Sequence, residues 1–132
     1  LLMHLQSSGK YVCSKCMKCE IECPVGALKG GVLDAAKCLA NQTIEYRGEL
    51  TAEQRTAAGD VVFGCGICVN VCPFNAGKPI KMDSSWNVRE DLACADKTSL
   101  YKLAVDNFAA GFTNTPIERI GQERFLRNFL AS

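Results

Sequence analysis

The chain has 132 residues, 48% of them hydrophobic, with 15 basic and 14 acidic side chains and a formal charge of +1, so it lacks the strong positive field of a free-standing nucleic-acid binder. The longest uncharged run, Val61 to Gly77, carries three cysteines and several glycines and makes a poor membrane span, so no membrane association is expected. No basic segment followed by an apolar run opens the sequence, and an odd count of nine cysteines fits an intracellular metal-binding chain better than a disulfide scaffold, which predicts a reducing, cytoplasmic setting.

From the N-terminus, the first feature is Cys13-x2-Cys16-x2-Cys19-x3-Cys23-Pro24, after which Cys38 stands alone. Thr51-Ala52-Glu53-Gln54 is an N-cap with a capping-box partner and predicts a short helix that Gly59 closes. A second run, Cys65-x2-Cys68-x3-Cys72-Pro73, repeats the first imperfectly, down to the small turn after each Cys-Pro. Gly77 to Asn87 mixes Gly, Pro, Ser and Asp without periodicity and predicts a linker or surface loop. Leu100, Leu103, Ala104 and Phe108 then recur at helical spacing, with Asp96 or Thr98 as cap and Gly111 as stop. Thr115-Pro116-Ile117-Glu118 repeats the capping signature with Pro at the first helical position. An apolar face of Ile117, Ile120, Phe125, Leu126, Phe129 and Leu130 follows, divided at Gly121, and should bury against the upstream helix or against further sequence.

The first run has the spacing by which bacterial ferredoxins wrap three thiolates around one [4Fe–4S] cubane while the fourth turns to a neighbouring cluster. Proline after the fourth Cys fixes φ and turns the chain sharply. The second run offers only two ordinary ligands before its Cys-Pro. With the Cys-Pro residues crossing over, Cys13, Cys16, Cys19 and Cys72 would hold one cluster, and Cys23, Cys65, Cys68 and one more the other. Cys38 is the best candidate for that last place. Cys94, amid Leu92, Ala93 and Ala95, is expected to be a small buried hydrophobe. Structural zinc also uses Cys-x2-Cys pairs, but four cysteines within eleven positions exceed one tetrahedral site, and Cys-Pro has no role there.

Three further segments carry a family resemblance. Leu33-Asp34-Ala35-Ala36-Lys37-Cys38 followed by Thr43-Ile44-Glu45-Tyr46-Arg47-Gly48, then Phe63-Gly64-Cys65 through Pro73-Phe74-Asn75, then Thr115-Pro116-Ile117 with Arg124-Phe125-Leu126-Arg127-Asn128, are together similar to the epoxyqueuosine reductases. That resemblance implies the same two ligand sets, with Cys38 as the isolated ligand. It also implies reductive removal of the epoxide oxygen of epoxyqueuosine in a tRNA anticodon, giving queuosine, with cobalamin as the reacting cofactor. An external one-electron donor such as a ferredoxin or flavodoxin is implied as well. The family's cobalamin domain and proton-donating acid precede the first cysteine run, so no catalytic residue is assigned in this chain. Where the family has Ser and Tyr shortly after the isolated Cys, this sequence has Ala40 and Asn41.

The expected architecture is α+β: a bacterial two-cluster ferredoxin-like core over residues 1–82 with a helical insert at 39–64, then a helical segment over 83–132 resembling the start of a HEAT-like region. Thr43 and Glu45 are candidates for corrin or tRNA contact on resemblance, weighed against solvated surface. Arg47, Lys78, Lys81, Arg119, Arg124 and Arg127 are candidates for tRNA phosphates, with solvent exposure favoured because Asp83, Glu118 and Glu123 lie beside them. Trp86 reads as a packing anchor, and His4 receives no role. A free-standing ferredoxin-type carrier and an iron–sulfur module of a reductive dehalogenase are the competing functions.

Overall fold

The computed structural model describes residues 16–75 and 89–130. Cys13, His4, Lys78, Lys81, Asp83, Trp86 and the expected linker lie outside them. The architecture is helix-rich with one small antiparallel ribbon, in agreement with the α+β expectation. In chain order come α1 (Lys18–Ile21), β1 (Leu28–Lys29), β2 (Val32–Leu33), α2 (Leu39–Ile44), α3 (Ala52–Ala58) and α4 (Ile67–Asn70). They are followed by α5 (Glu90–Ala93), α6 (Lys97–Phe112), α7 (Pro116–Ile120) and α8 (Gln122–Phe129). The ribbon pairs Leu28 with Leu33 and Lys29 with Val32 around a turn at Gly30 and Gly31, both at positive φ. Among the described residues, no helix is long and apolar enough to cross a membrane.

The repeat seen in the cysteine spacing is also a repeat of backbone conformation. Met17 and Gly66, each just after the first Cys of its Cys-x2-Cys pair, adopt left-handed conformations at φ 61° and 74° and open the single-turn helices α1 and α4. After each Cys-Pro a matching turn closes, with Gly26 N–H donating to Cys23 O and Asn75 N–H to Cys72 O. The helices α1 and α4 pack on one another, so the two halves face each other as a pair.

At α3, Thr51 and Gln54 bond reciprocally as a full capping box, and Gly59 ends the helix at φ 52°. In α6, Asp96 is the cap, its carboxylate accepting from Ser99 N–H at 2.7 Å. Three details of the tail differ from expectation. Gly111 does not stop α6, which runs on to Phe112; Gly111 is buried, and a Cβ there would fall 2.6 Å from Leu103 Cγ. That approach depends on a break at Asn107 (φ −158°, ψ 64°), whose side chain accepts from Ala110 N–H and re-caps the second arm. At α7 proline does occupy the first turn, but Thr115 makes no capping bond; its hydroxyl donates to Phe112 O instead. The third is Cys94, which is exposed at the end of α5, because the short helix turns Leu92 rather than Cys94 toward the core.

The main core lies in the tail. Ala104, Phe112, Ile120, Phe125 and Phe129 are its buried members, and Ile44, Val62 and Phe63 from the insert pack against them. Phe125 sits at the centre, with Phe112 and Phe129 edge-on at ring-centroid distances of 5.1 Å. The apolar face of α8 is thus covered chiefly by α6, and α8 also touches α7 and α2. Leu39 and Ala58 form a second, smaller core with Val25, Ala57 and Cys65 beside it.

Candidate metal centre

Cys23, Cys38, Cys65 and Cys68 line one small cavity, whose remaining wall includes Ala27, Leu33, Leu39 and Ile67. Each arrives from a different local device. Cys23 follows α1 and is half-buried at the first Cys-Pro turn. Cys38 is the N-cap residue of α2, delivered by a turn in which Asp34 Oδ1 accepts from Ala36 N–H. Gln42 fixes the same approach from behind, its side-chain amide donating to Ala36 O and Lys37 O. Cys65 and Cys68 flank the left-handed Gly66 that starts α4.

Burial raises the Cys23 thiol, but the backbone N–H groups of Val25, Ala27, Leu28 and Gly26 outweigh it and hold the thiol below its ordinary value. The Ala27 N–H lies 3.3 Å from Cys23 Sγ. Such donors favour a thiolate, the form that ligates metal. All eight described cysteines are free thiols. Among the described residues, no three Cys, His, Asp or Glu side chains converge closely enough to hold one metal ion. A zinc ion needs every sulfur at about 2.3 Å from one point. Four cysteines on one cavity, its apolar wall and the backbone donor at the Cys23 sulfur are compatible with an iron–sulfur cluster. The residues present therefore fit such a group.

Aligning the two halves puts Cys16, Cys19 and Cys23 opposite Cys65, Cys68 and Cys72, and Val62 opposite Cys13. The place without a thiol in the second half is thus Val62, and Cys38 reaches the cavity wall from outside the repeat. Cys16 is exposed, while Cys19 and Cys72 are half-buried.

The other candidates fall differently. Thr43, weighed as solvated surface or a cofactor contact, is 1% exposed, and its hydroxyl bonds only backbone. Glu45 is exposed and ion-paired with Arg119 at 2.6 Å, which holds its carboxyl below the usual range. Arg127, expected to be exposed, is 6% exposed. Its guanidinium donates to the carbonyls of Gln42, Tyr46 and Gly48 and to Asn128 Oδ1. Arg124 donates to Ile120 O and Ile44 O. Arg47 and Arg124 share an open polar cleft with Glu49 and Glu123. The structural roles of Gln42, Arg127 and Asn128 went unread in the sequence, where nothing local distinguishes a buried amide or guanidinium from a solvated one.

Residues 12–75 match the family described as a 4Fe-4S double cluster binding domain. Over 119 residues, 89% of its length, the chain is 35% identical to the epoxyqueuosine reductase of Vibrio cholerae and covers 32% of that protein. Against the epoxyqueuosine reductase of Escherichia coli the identity is 31% over 117 residues, 88% of this chain and 31% of that one. The solved epoxyqueuosine reductase of Bacillus subtilis superposes with a TM-score of 0.80 at 29% identity, over 93% of this chain and 33% of that one. Over most of its length the chain is similar to part of the epoxyqueuosine reductases. It spans about a third of the length of these relatives. The likeness to epoxyqueuosine reductase takes in 93% of this chain and so continues past the double-cluster domain into the helical tail. A further neighbour, with a TM-score of 0.70 and 28% identity over 91% of this chain and 32% of that one, is an epoxyqueuosine reductase solved with a tRNA-Tyr epoxyqueuosine-modified stem loop.

Proposed function

We propose that the chain is the electron-relay region of an epoxyqueuosine reductase, holding two [4Fe–4S] clusters. Cys23, Cys38, Cys65 and Cys68 would hold one, and Cys13, Cys16, Cys19 and Cys72 the other. A bound cubane takes up and gives back a single electron, so two in series suit stepwise reduction. What this chain's residues contribute is insulation and charge control. Leu33, Leu39 and Ile67 give one site an apolar wall, and the N–H groups after Cys23 favour its thiolate.

The single observation that carries this reading is the four-thiol cavity, assembled from both halves of the repeat and from Cys38. The extended likeness over the helical tail favours a reductase region over a free-standing carrier. In the whole protein the relay would serve cobalamin and an epoxyqueuosine-bearing tRNA in the cytoplasm, fed by an external donor such as a ferredoxin or flavodoxin. Anaerobic titration of the reconstituted chain with a one-electron reductant tests the relay. Uptake of about two electrons per chain, with two resolvable low-temperature EPR signals, is the expected result. Uptake of one electron, or of none, contradicts it.

A further inference from the structure

Thr43 stands on the last turn of α2, and its hydroxyl both donates and accepts. It donates to Leu39 O at 2.8 Å and accepts from Gly64 N–H at 3.0 Å. Leu39 directly follows Cys38, and Gly64 directly precedes Cys65. One oxygen therefore joins the neighbours of two cysteines that lie 27 positions apart in sequence and share a cavity wall. A threonine bonding the carbonyl four residues back is common inside helices and accounts for the Leu39 bond alone. It does not account for Gly64, whose backbone is left-handed at φ 70° and has its N–H directed at Thr43. Behind this bridge stands Asn128 of α8, 0% exposed, whose amide donates to Thr43 O and to Val62 O, each at 2.9 Å. Those bonds fasten the same two strands of chain a second time.

We propose that Thr43 is a positioning residue for the cavity formed by Cys23, Cys38, Cys65 and Cys68, its hydroxyl setting the Cys38 arm against the Cys65 arm, with Asn128 holding both from behind. The proposal rests on the reading of that cavity as a cluster site. A hydroxyl is needed because only a group with both a proton and a lone pair can satisfy a carbonyl and an N–H together at this depth. Valine keeps the shape and loses both bonds; serine keeps both bonds and loses only the methyl.

The test uses the whole chain, reconstituted anaerobically, as wild type, T43V, T43S and N128A. Release of iron to a ferrous chelator and the EPR of the reduced protein are measured for each, beside far-ultraviolet circular dichroism. Wild-type protein that takes up no cluster sinks the cluster reading itself, and this proposal with it. Given a loaded wild type, T43V should release about half of its iron roughly tenfold faster or more, with one EPR signal altered and the other unchanged. T43S should restore the wild-type rate and signal, and N128A should disturb the same cluster as T43V. A T43V protein indistinguishable from wild type overturns the proposal. So does equal acceleration for both clusters with loss of helical signal, which would make Thr43 a general stabiliser, and so does a T43S protein that behaves like T43V.

Discussion

At Arg127 a buried cation is held by main-chain carbonyls rather than by a carboxylate. The planar fork reaches Gln42 O and Tyr46 O at 2.8 and 2.9 Å, with Gly48 O beside them, and the Tyr46 ring lies 6.0 Å from the guanidinium carbon. Lysine carries the charge but not the fork. R127K should therefore cost about 2 kcal/mol, the scale of losing hydrogen bonds to a charged group, seen as a fall of several degrees in the thermal unfolding temperature. The exposed Glu45–Arg119 pair gives a pH prediction of defined sign. Arg119 depresses the folded pKa of Glu45, so the stabilisation is complete above the unfolded value and is lost as pH falls through the lowered folded one. The loss should begin near the ordinary glutamate value of about 4.3. Unfolding temperatures of wild type and E45Q measured from neutral to acid pH should converge below that range; a gap that persists in acid would show that the pair is not its source.

Among the elements, those whose signals are local were legible in advance. Thr51 and Gln54 lie three positions apart, and the capping box they announce is present atom for atom. T51A should cost about 1 kcal/mol, measured by thermal unfolding. Gly121 likewise divides α7 from α8 through a φ of 79° that other residues resist. Elements whose shape depends on distant partners were not legible. Gly111 read as a helix stop because glycine usually ends helices, yet here it lets the second arm of α6 close on Leu103. Arg127 read as solvated, and Asn128 received no structural role, because their partners, Gln42 O, Thr43 O and Val62 O, lie far back in the chain. The cysteines fall between these cases: their spacing announced two sites, whereas the arrival of Cys38 at a cavity shared with Cys23, Cys65 and Cys68 is a tertiary fact. Within the tail, Phe125 is fully buried among three other phenylalanines, so F125A should cost about 3–5 kcal/mol and melt α6 to α8 before the cysteine-rich half, as followed by helical circular dichroism.

In the molecule as a whole, the tail and the cysteine-rich half are joined by buried polar bonds. The amide and guanidinium of α8 reach across to α2 and to the strand of chain leading into Cys65, so the cavity wall is braced from outside the repeat. This arrangement gives a physical reason for the likeness to epoxyqueuosine reductase to run into the helical tail rather than to end with the second Cys-Pro turn. On the proposed reading, Cys38 completes a second cluster for which the repeat has no thiol. Iron, acid-labile sulfide and zinc measured together after anaerobic reconstitution of wild type and C38S address it most directly. The expected result is about eight iron and eight sulfide in wild type, a fall toward four in C38S, and no stoichiometric zinc. A C38S chain that keeps the full complement, or a wild type that carries zinc in place of iron, would contradict it.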